Sequence, residues 1–135
     1  MSAIPKNVFV VEDSAPLRTR LIEMLRDIGG VSIVGEAETP EQAVTGIMLT
    51  LPDYVVLDFQ LKGGTGAQIL RAIRAHMPNT VFIVLSNHNE PPFRQACIDA
   101  GADAFFDKSN EITKVKEMIS SNVPRRLSKT SQYIH

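Results

Sequence analysis

Short apolar runs rich in β-branched residues recur along the chain at Val8–Val11, Val31–Val34, Tyr54–Leu57 and Val81–Leu85, with a weaker one at Ala104–Phe106. The first four are continuous rather than alternating, so they predict strands buried on both faces. Between them the apolar positions switch to helical spacing. Leu17, Leu21, Met24, Leu25 and Ile28 recur at three and four residues, and Gly29-Gly30 supplies a stop. Thr39-Pro40-Glu41-Gln42 forms a capping box with proline at the first helical position, opening a helix that carries Ala43, Val44, Ile47 and Met48. A third helix carries Ile69, Leu70, Ile73 and Met77 before Pro78. Pro91-Pro92 can open a fourth, because first-turn N–H groups lack intrahelical partners; it runs through Phe93, Ala96 and Cys97 to Gly101. Ile112, Val115, Met118 and Ile119 mark a fifth.

Five consecutive β-α units result. Crossover helices between buried strands predict a parallel sheet covered on both faces, an open doubly wound α/β fold. After about Val123 the pattern dissolves into a basic polar stretch from Pro124 to Gln132, with Tyr133 and Ile134 near its end. The expectation is one domain over residues 1–122 and a mobile tail over 123–135.

Composition narrows the function classes. The 135 residues suit one domain, and fourteen Lys plus Arg against fifteen Asp plus Glu give a formal charge of −1. So weak a charge offers no general attraction to nucleic acid or an anionic membrane. Cys97 is the only cysteine, which excludes an internal disulfide and a cysteine-clustered metal site. His76, His88 and His135 lack ligand spacing. No apolar run approaches the roughly 18 residues of a membrane span. The expected setting is the cytoplasm.

In open α/β sheets the ligand crevice lies beyond the carboxyl ends of the strands. The first strand delivers Glu12-Asp13 there, the second Glu36-Ala37-Glu38, the third Asp58, the fourth Ser86 and the fifth Lys108. Two carboxylates about 4 Å apart repel by roughly 4 kcal/mol at an effective dielectric near 20, so Glu12, Asp13 and Asp58 in one pocket demand a cation. Hard oxygen ligands without histidine or cysteine suit Mg2+, which keeps several waters and is usually completed by a phosphate oxygen. Lys108 supplies a compact positive charge and Ser86 a hydrogen-bond donor. That set can stabilise a transferring phosphoryl group, with Asp58 as the nucleophile that forms an acyl phosphate.

Val-Val-Glu12-Asp13-Ser, Val-Leu-Asp58, Val-Leu-Ser86 and Phe105-Phe-Asp-Lys108, with 28 residues from Asp58 to Ser86 and 50 to Lys108, resemble a response-regulator receiver domain of the CheY-like family. The resemblance covers roughly Asn7 to Ile119 and implies a flavodoxin-like sheet of order 2-1-3-4-5 with five helices. It implies that Asp58 accepts a phosphoryl group from a phosphohistidine on a sensor histidine kinase or a histidine phosphotransfer protein. It further implies that Asp13, Asp58 and the carbonyl of Gln60 ligate Mg2+, with Glu12 acting mainly through water. Ser86 and Phe105 would be the switch pair, the ring turning inward behind the hydroxyl. The surface of the fourth helix, fifth strand and fifth helix would then meet a downstream protein, a phosphorylation-dependent homodimer being one form this can take. Gln60 and His88 would border the water that hydrolyses the acyl phosphate, and His88 is expected to shield it.

Two features depart from the family pattern. Lys62 stands where proline often follows the acceptor, and Pro91-Pro92 stiffen a helix start that commonly moves. Gly63-Gly64-Thr65-Gly66 lacks the Gly-Lys-Ser/Thr ending of a phosphate loop and reads as a turn. A flavodoxin-like electron carrier would need a phosphate-binding loop after the first strand, where Glu12-Asp13 repels phosphate. A haloacid-dehalogenase-type phosphatase puts a second acid two residues after the nucleophile, where Gln60 stands. A signalling protein, not a metabolic enzyme, is therefore expected. The alternatives kept are a receiver-like interaction module that is never phosphorylated and the receiver fragment of a DNA-binding regulator.

Overall fold

The computed structural model describes residues 5–87 and 90–121. Strands β1 (Lys6–Val11), β2 (Val31–Ala37), β3 (Tyr54–Asp58), β4 (Val81–Ser86) and β5 (Ala104–Asp107) alternate with helices α1 (Ala15–Arg26), α2 (Pro40–Thr50), α3 (Gly66–Ile73), α4 (Pro91–Asp99) and α5 (Ile112–Ser121). The five strands form one parallel sheet in the order β2-β1-β3-β4-β5. This is the doubly wound, flavodoxin-like arrangement expected from the sequence.

Strand alternation divides the core into two layers. Phe9, Val11, Val55, Leu57, Phe82 and Val84 face one side and pack with Ile47, Ile69, Leu70, Ile73 and Cys97 from α2, α3 and α4. Val8, Val10, Val56, Ile83 and Leu85 face the other and pack with Leu21, Ile22, Leu25, Val115 and Ile119 from α1 and α5. Burial pushes the Cys97 thiol up to about 11, so it packs as a small apolar group.

Local chemistry sets the helix starts. The Ser14 hydroxyl accepts from Leu17 N, Thr39 from Gln42 N, and Thr65 forms a full capping box with Gln68. Pro91 and Pro92 occupy the first turn of α4, and Glu90 before them is extended at φ −59°, ψ 144°.

Several expectations need correction. β2 is an edge strand, mostly half-buried rather than buried on both faces, and it runs on to Ala37. Leu17 and Met48 are exposed rather than core, and α1 ends at Arg26, before Ile28. α3 stops at Ile73 and tightens into a 3-10 turn over Arg74–His76 before Met77. Gln60–Leu61 and Gly64–Thr65 make a short antiparallel ladder across the turn at Gly63, whose φ is 84°. His88 and the 123–135 tail lie outside the described residues.

Candidate functional site

The carboxyl ends of β1, β3, β4 and β5 meet at one cavity of about 230 Å³, lined by Glu12, Asp13, Asp58, Gln60, Ser86 and Lys108 among others. These residues come from four strand ends and one loop. Parallel pairing of β1 with β3 and of β3 with β4 sets Asp58 level with Leu85, so Ser86 follows directly beside it. The Lys108 N–H donates to the Ser86 carbonyl at 2.9 Å, tying the fifth strand's end to the fourth's.

Within the cavity the Lys108 ammonium hydrogen-bonds Glu12 Oε1 and reaches Asp58 Oδ2 at 3.0 Å. Glu12 is 2% exposed, and its other oxygen accepts from the Ser14 N–H at 3.1 Å. Burial opposes the charge on Lys108, but its hydrogen bond to Glu12 and the charge of Asp58 outweigh it and raise its pKa. Asp13 has its carboxyl pKa raised by desolvation, then by its hydrogen bond to Glu12 and that group's charge. Because Asp13 as a residue is exposed, the neighbouring carboxylate is the cause that matters. One carboxylate oxygen each from Glu12, Asp13 and Asp58 lies within 4.8 Å of the others. Three hard oxygen donors so close, with one ammonium among them, fit a small divalent cation such as Mg2+.

Ser86 is 1% exposed at the end of β4, and Phe105 is 4% exposed in the core layer beneath α4. The resemblance implied a ring that turns inward; here it already lies inside, with the Arg94 guanidinium 5.8 Å from its centroid.

Three contributors were not singled out from the sequence. Asn87 lines the cavity and accepts from the Ser109 hydroxyl at 3.4 Å. Gly66 packs so tightly that a Cβ there would sit 2.7 Å from the Asp58 carbonyl oxygen, so the last glycine of the Gly-Gly-Thr-Gly turn lets α3 approach the end of β3. Arg18 joins the ends of β1 and β2, donating to the Glu12 carbonyl at 2.7 Å, Glu36 at 2.8 Å and Glu38 at 3.2 Å. The acidic pair at the second strand's end was visible, but its partner becomes evident only once α1 is placed beside it.

A five-stranded parallel sheet of this order, with an acidic cluster and a lysine at its carboxyl edge, defines a doubly wound α/β domain with a built anion-and-cation pocket. The chain belongs to the response regulator receiver domain family, whose model matches residues 8–120. It is 32% identical over 111 residues to the NarL transcriptional regulatory protein of Mycobacterium tuberculosis, covering 82% of this chain and 51% of the relative. It is 30% identical over 115 residues to the response regulator UvrY of Escherichia coli, covering 85% and 53%. The chain thus spans about half the length of the curated relatives it matches. The solved signal receiver domain of M. tuberculosis NarL superposes with a TM-score of 0.80 at 29% identity, covering 90% of this chain and all of that one. CheY in a CheX–CheY–BeF3–Mg2+ complex from Borrelia burgdorferi matches with a TM-score of 0.78 at 27% identity, covering 87% and 89%. The chain is a receiver of two-component signalling, and no helix among the described residues is long and apolar enough to cross a membrane.

Proposed function

We propose that Asp58 is the phosphoacceptor of this receiver, taking a phosphoryl group from a phosphohistidine on a sensor kinase or phosphotransfer protein in the cytoplasm. The observation that carries this reading is the Lys108 ammonium, which reaches from the end of β5 to both Glu12 and Asp58 inside one cavity. An Asp58 carboxylate oxygen attacks phosphorus; the new P–O bond forms as the donor's P–N bond breaks, and that electron pair leaves with the imidazole. Lys108 and the Ser86 hydroxyl stabilise the phosphoryl oxygens as charge arrives. Asp13, Asp58 and the Gln60 carbonyl would hold Mg2+, with Glu12 acting through water. Bound there, Mg2+ neutralises phosphoryl charge. The B. burgdorferi neighbour, solved with BeF3 and Mg2+, supports that assignment.

Residues 1–122 form the receiver unit in this reading, and 123–135 follow it as a basic tail. Its output is partner binding through α4, β5 and α5, a homodimer included, with no direct contact to nucleic acid or membrane. Gln60 borders the path of the hydrolytic water, and His88 shields the acyl phosphate from it. Ser86 and Phe105 remain the switch pair. With the ring already inside, the part of the switch left to move is the hydroxyl.

Incubation with acetyl phosphate tests the reading directly. One phosphoryl adduct per chain is expected by intact mass in the presence of Mg2+, and none with EDTA. Labelling that ignores Mg2+ would overturn it. The metal assignment has its own consequence. Asp13→Ala is expected to weaken Mg2+ binding more than Glu12→Ala, because direct ligation matters more than a water-mediated contact. Titration calorimetry on both variants checks it, and equal or reversed losses would contradict the assignment.

A further inference from the structure

Glu12 is held at every polar group. Its N–H donates to the Ala37 carbonyl at 3.0 Å, its carboxylate takes the Ser14 N–H and Lys108, and its backbone carbonyl accepts from Arg18 Nη1 at 2.7 Å. That carbonyl belongs to the peptide joining Glu12 to Asp13. The peptide is planar, so with the Glu12 N–H also held, a bond to this oxygen restrains the rotation that aims the chain from Glu12 into Asp13.

The rest of the guanidinium points away from the cavity. Arg18 Nε donates to Glu36 Oε1 at 2.8 Å and Nη2 to Glu38 Oε1 at 3.2 Å. The arginine side chain is 13% exposed, whereas the glutamates are 53% and 44% exposed. The positive charge is therefore balanced by two carboxylates on the end of β2, not by the three that face the cavity. A cationic side chain can therefore hold the backbone of the acidic cluster without opposing a second cation there. A planar fork that engages three acceptors on two strand ends is something arginine supplies and lysine, a point charge, does not.

We infer that Arg18 is a positioning residue for divalent-cation binding: it orients the Glu12–Asp13 peptide while Glu36 and Glu38 neutralise its charge. This deepens the proposed function and rests on its metal assignment. Two effects compete when Arg18 changes. Losing a nearby positive charge strengthens cation binding, and losing the fixed peptide weakens it. Arg18→Lys keeps the charge and removes the fork, so it isolates the second effect. Glu36→Gln with Glu38→Gln keeps the fork at the Glu12 carbonyl but leaves its charge unbalanced, so it isolates the first.

The experiment is Mg2+ titration calorimetry of the full chain, wild type and both variants, at low and high salt, with thermal unfolding measured without Mg2+. Arg18→Lys is expected to weaken Mg2+ roughly 10-fold, the low end for partners that orient metal ligands, and by the same factor at both salt concentrations. The Glu36→Gln/Glu38→Gln variant is expected to weaken Mg2+ at low salt and return toward wild type at high salt, since exposed charges are screened. A role confined to stability would lower the Arg18→Lys unfolding temperature with Mg2+ affinity unchanged, and that result overturns the inference. A salt-sensitive Arg18→Lys loss overturns it as well. Failure of the wild type to bind Mg2+ at all would instead remove the metal assignment on which it stands. The double variant alters only exposed carboxylates, and a Mg2+ affinity unchanged at low salt in it would overturn the neutralising part of the inference even should Arg18→Lys fold poorly.

Discussion

Asp58→Asn is expected to leave no phosphoryl adduct under conditions that label the wild type to completion. Asparagine has nearly the shape of aspartate, but its amide offers no carboxylate lone pair to attack phosphorus. The substitution should keep the fold. Lys108 retains its hydrogen bond to Glu12, and one of three mutually repelling carboxylates becomes neutral. Loss of labelling therefore separates from loss of structure, with circular dichroism and the unfolding temperature as the control. An adduct that survives in Asp58→Asn, mapped by peptide mass spectrometry, would place the acceptor elsewhere. The neighbouring acids Glu12 and Asp13 are the first positions to examine, since both line the same cavity.

The parts of this molecule legible in the sequence are those where one physical requirement dominates. β3 and β4 are buried along their length, so their apolar runs are continuous and unmistakable. β2 has a run of similar composition, yet it lies at the sheet edge and is half exposed, because strand order rather than local composition decides burial. Helix starts were readable from Thr39 and Pro91 since caps are local chemistry, whereas Thr65, read only as part of a turn, caps α3. Helix ends were less so, as the turn that closes α3 depends on packing beyond it.

The candidate site divides the same way. Glu12, Asp13, Asp58, Ser86 and Lys108 stand out because charged and hydroxyl groups interrupt apolar runs at strand ends. Their convergence required the strand order, which came from the family resemblance and not from the runs themselves. Gly66 and Arg18 act through backbone carbonyls of site residues, and a carbonyl leaves no mark on composition. The inward Phe105 ring is likewise a matter of packing, where α4 sets Arg94 above it. An aromatic residue in a strand is compatible with either face until that helix is placed.

Lys108→Met should have two separable effects, one on chemistry and one on stability. Methionine keeps much of the apolar stem and removes the ammonium. Loss of one preorganised donor to developing charge typically slows a reaction about 10²- to 10³-fold, and acetyl phosphate labelling of the variant should slow by that order. The stability effect follows from what is left behind. Glu12 and Asp58, 2% and 12% exposed in their side chains, lose the cation they share. With oxygens no more than 4.8 Å apart, their repulsion is about 3 kcal/mol at an effective dielectric near 20. Water reaching the part-exposed Asp58 carboxylate screens part of that repulsion, so about 1–2 kcal/mol of lost stability is expected at neutral pH without Mg2+. The sign with pH is fixed. The folded state raises the pKa of Lys108, so its contribution is complete through the neutral range and is lost only as pH rises through that raised value. A divalent cation replaces the missing charge, so Mg2+ should bind the variant more tightly than the wild type and close most of the gap in unfolding temperature. Thermal unfolding with and without Mg2+ reads this directly. A stability gap that Mg2+ leaves untouched would mean that Lys108 acts through packing of its stem, and an unchanged labelling rate would remove it from phosphoryl transfer.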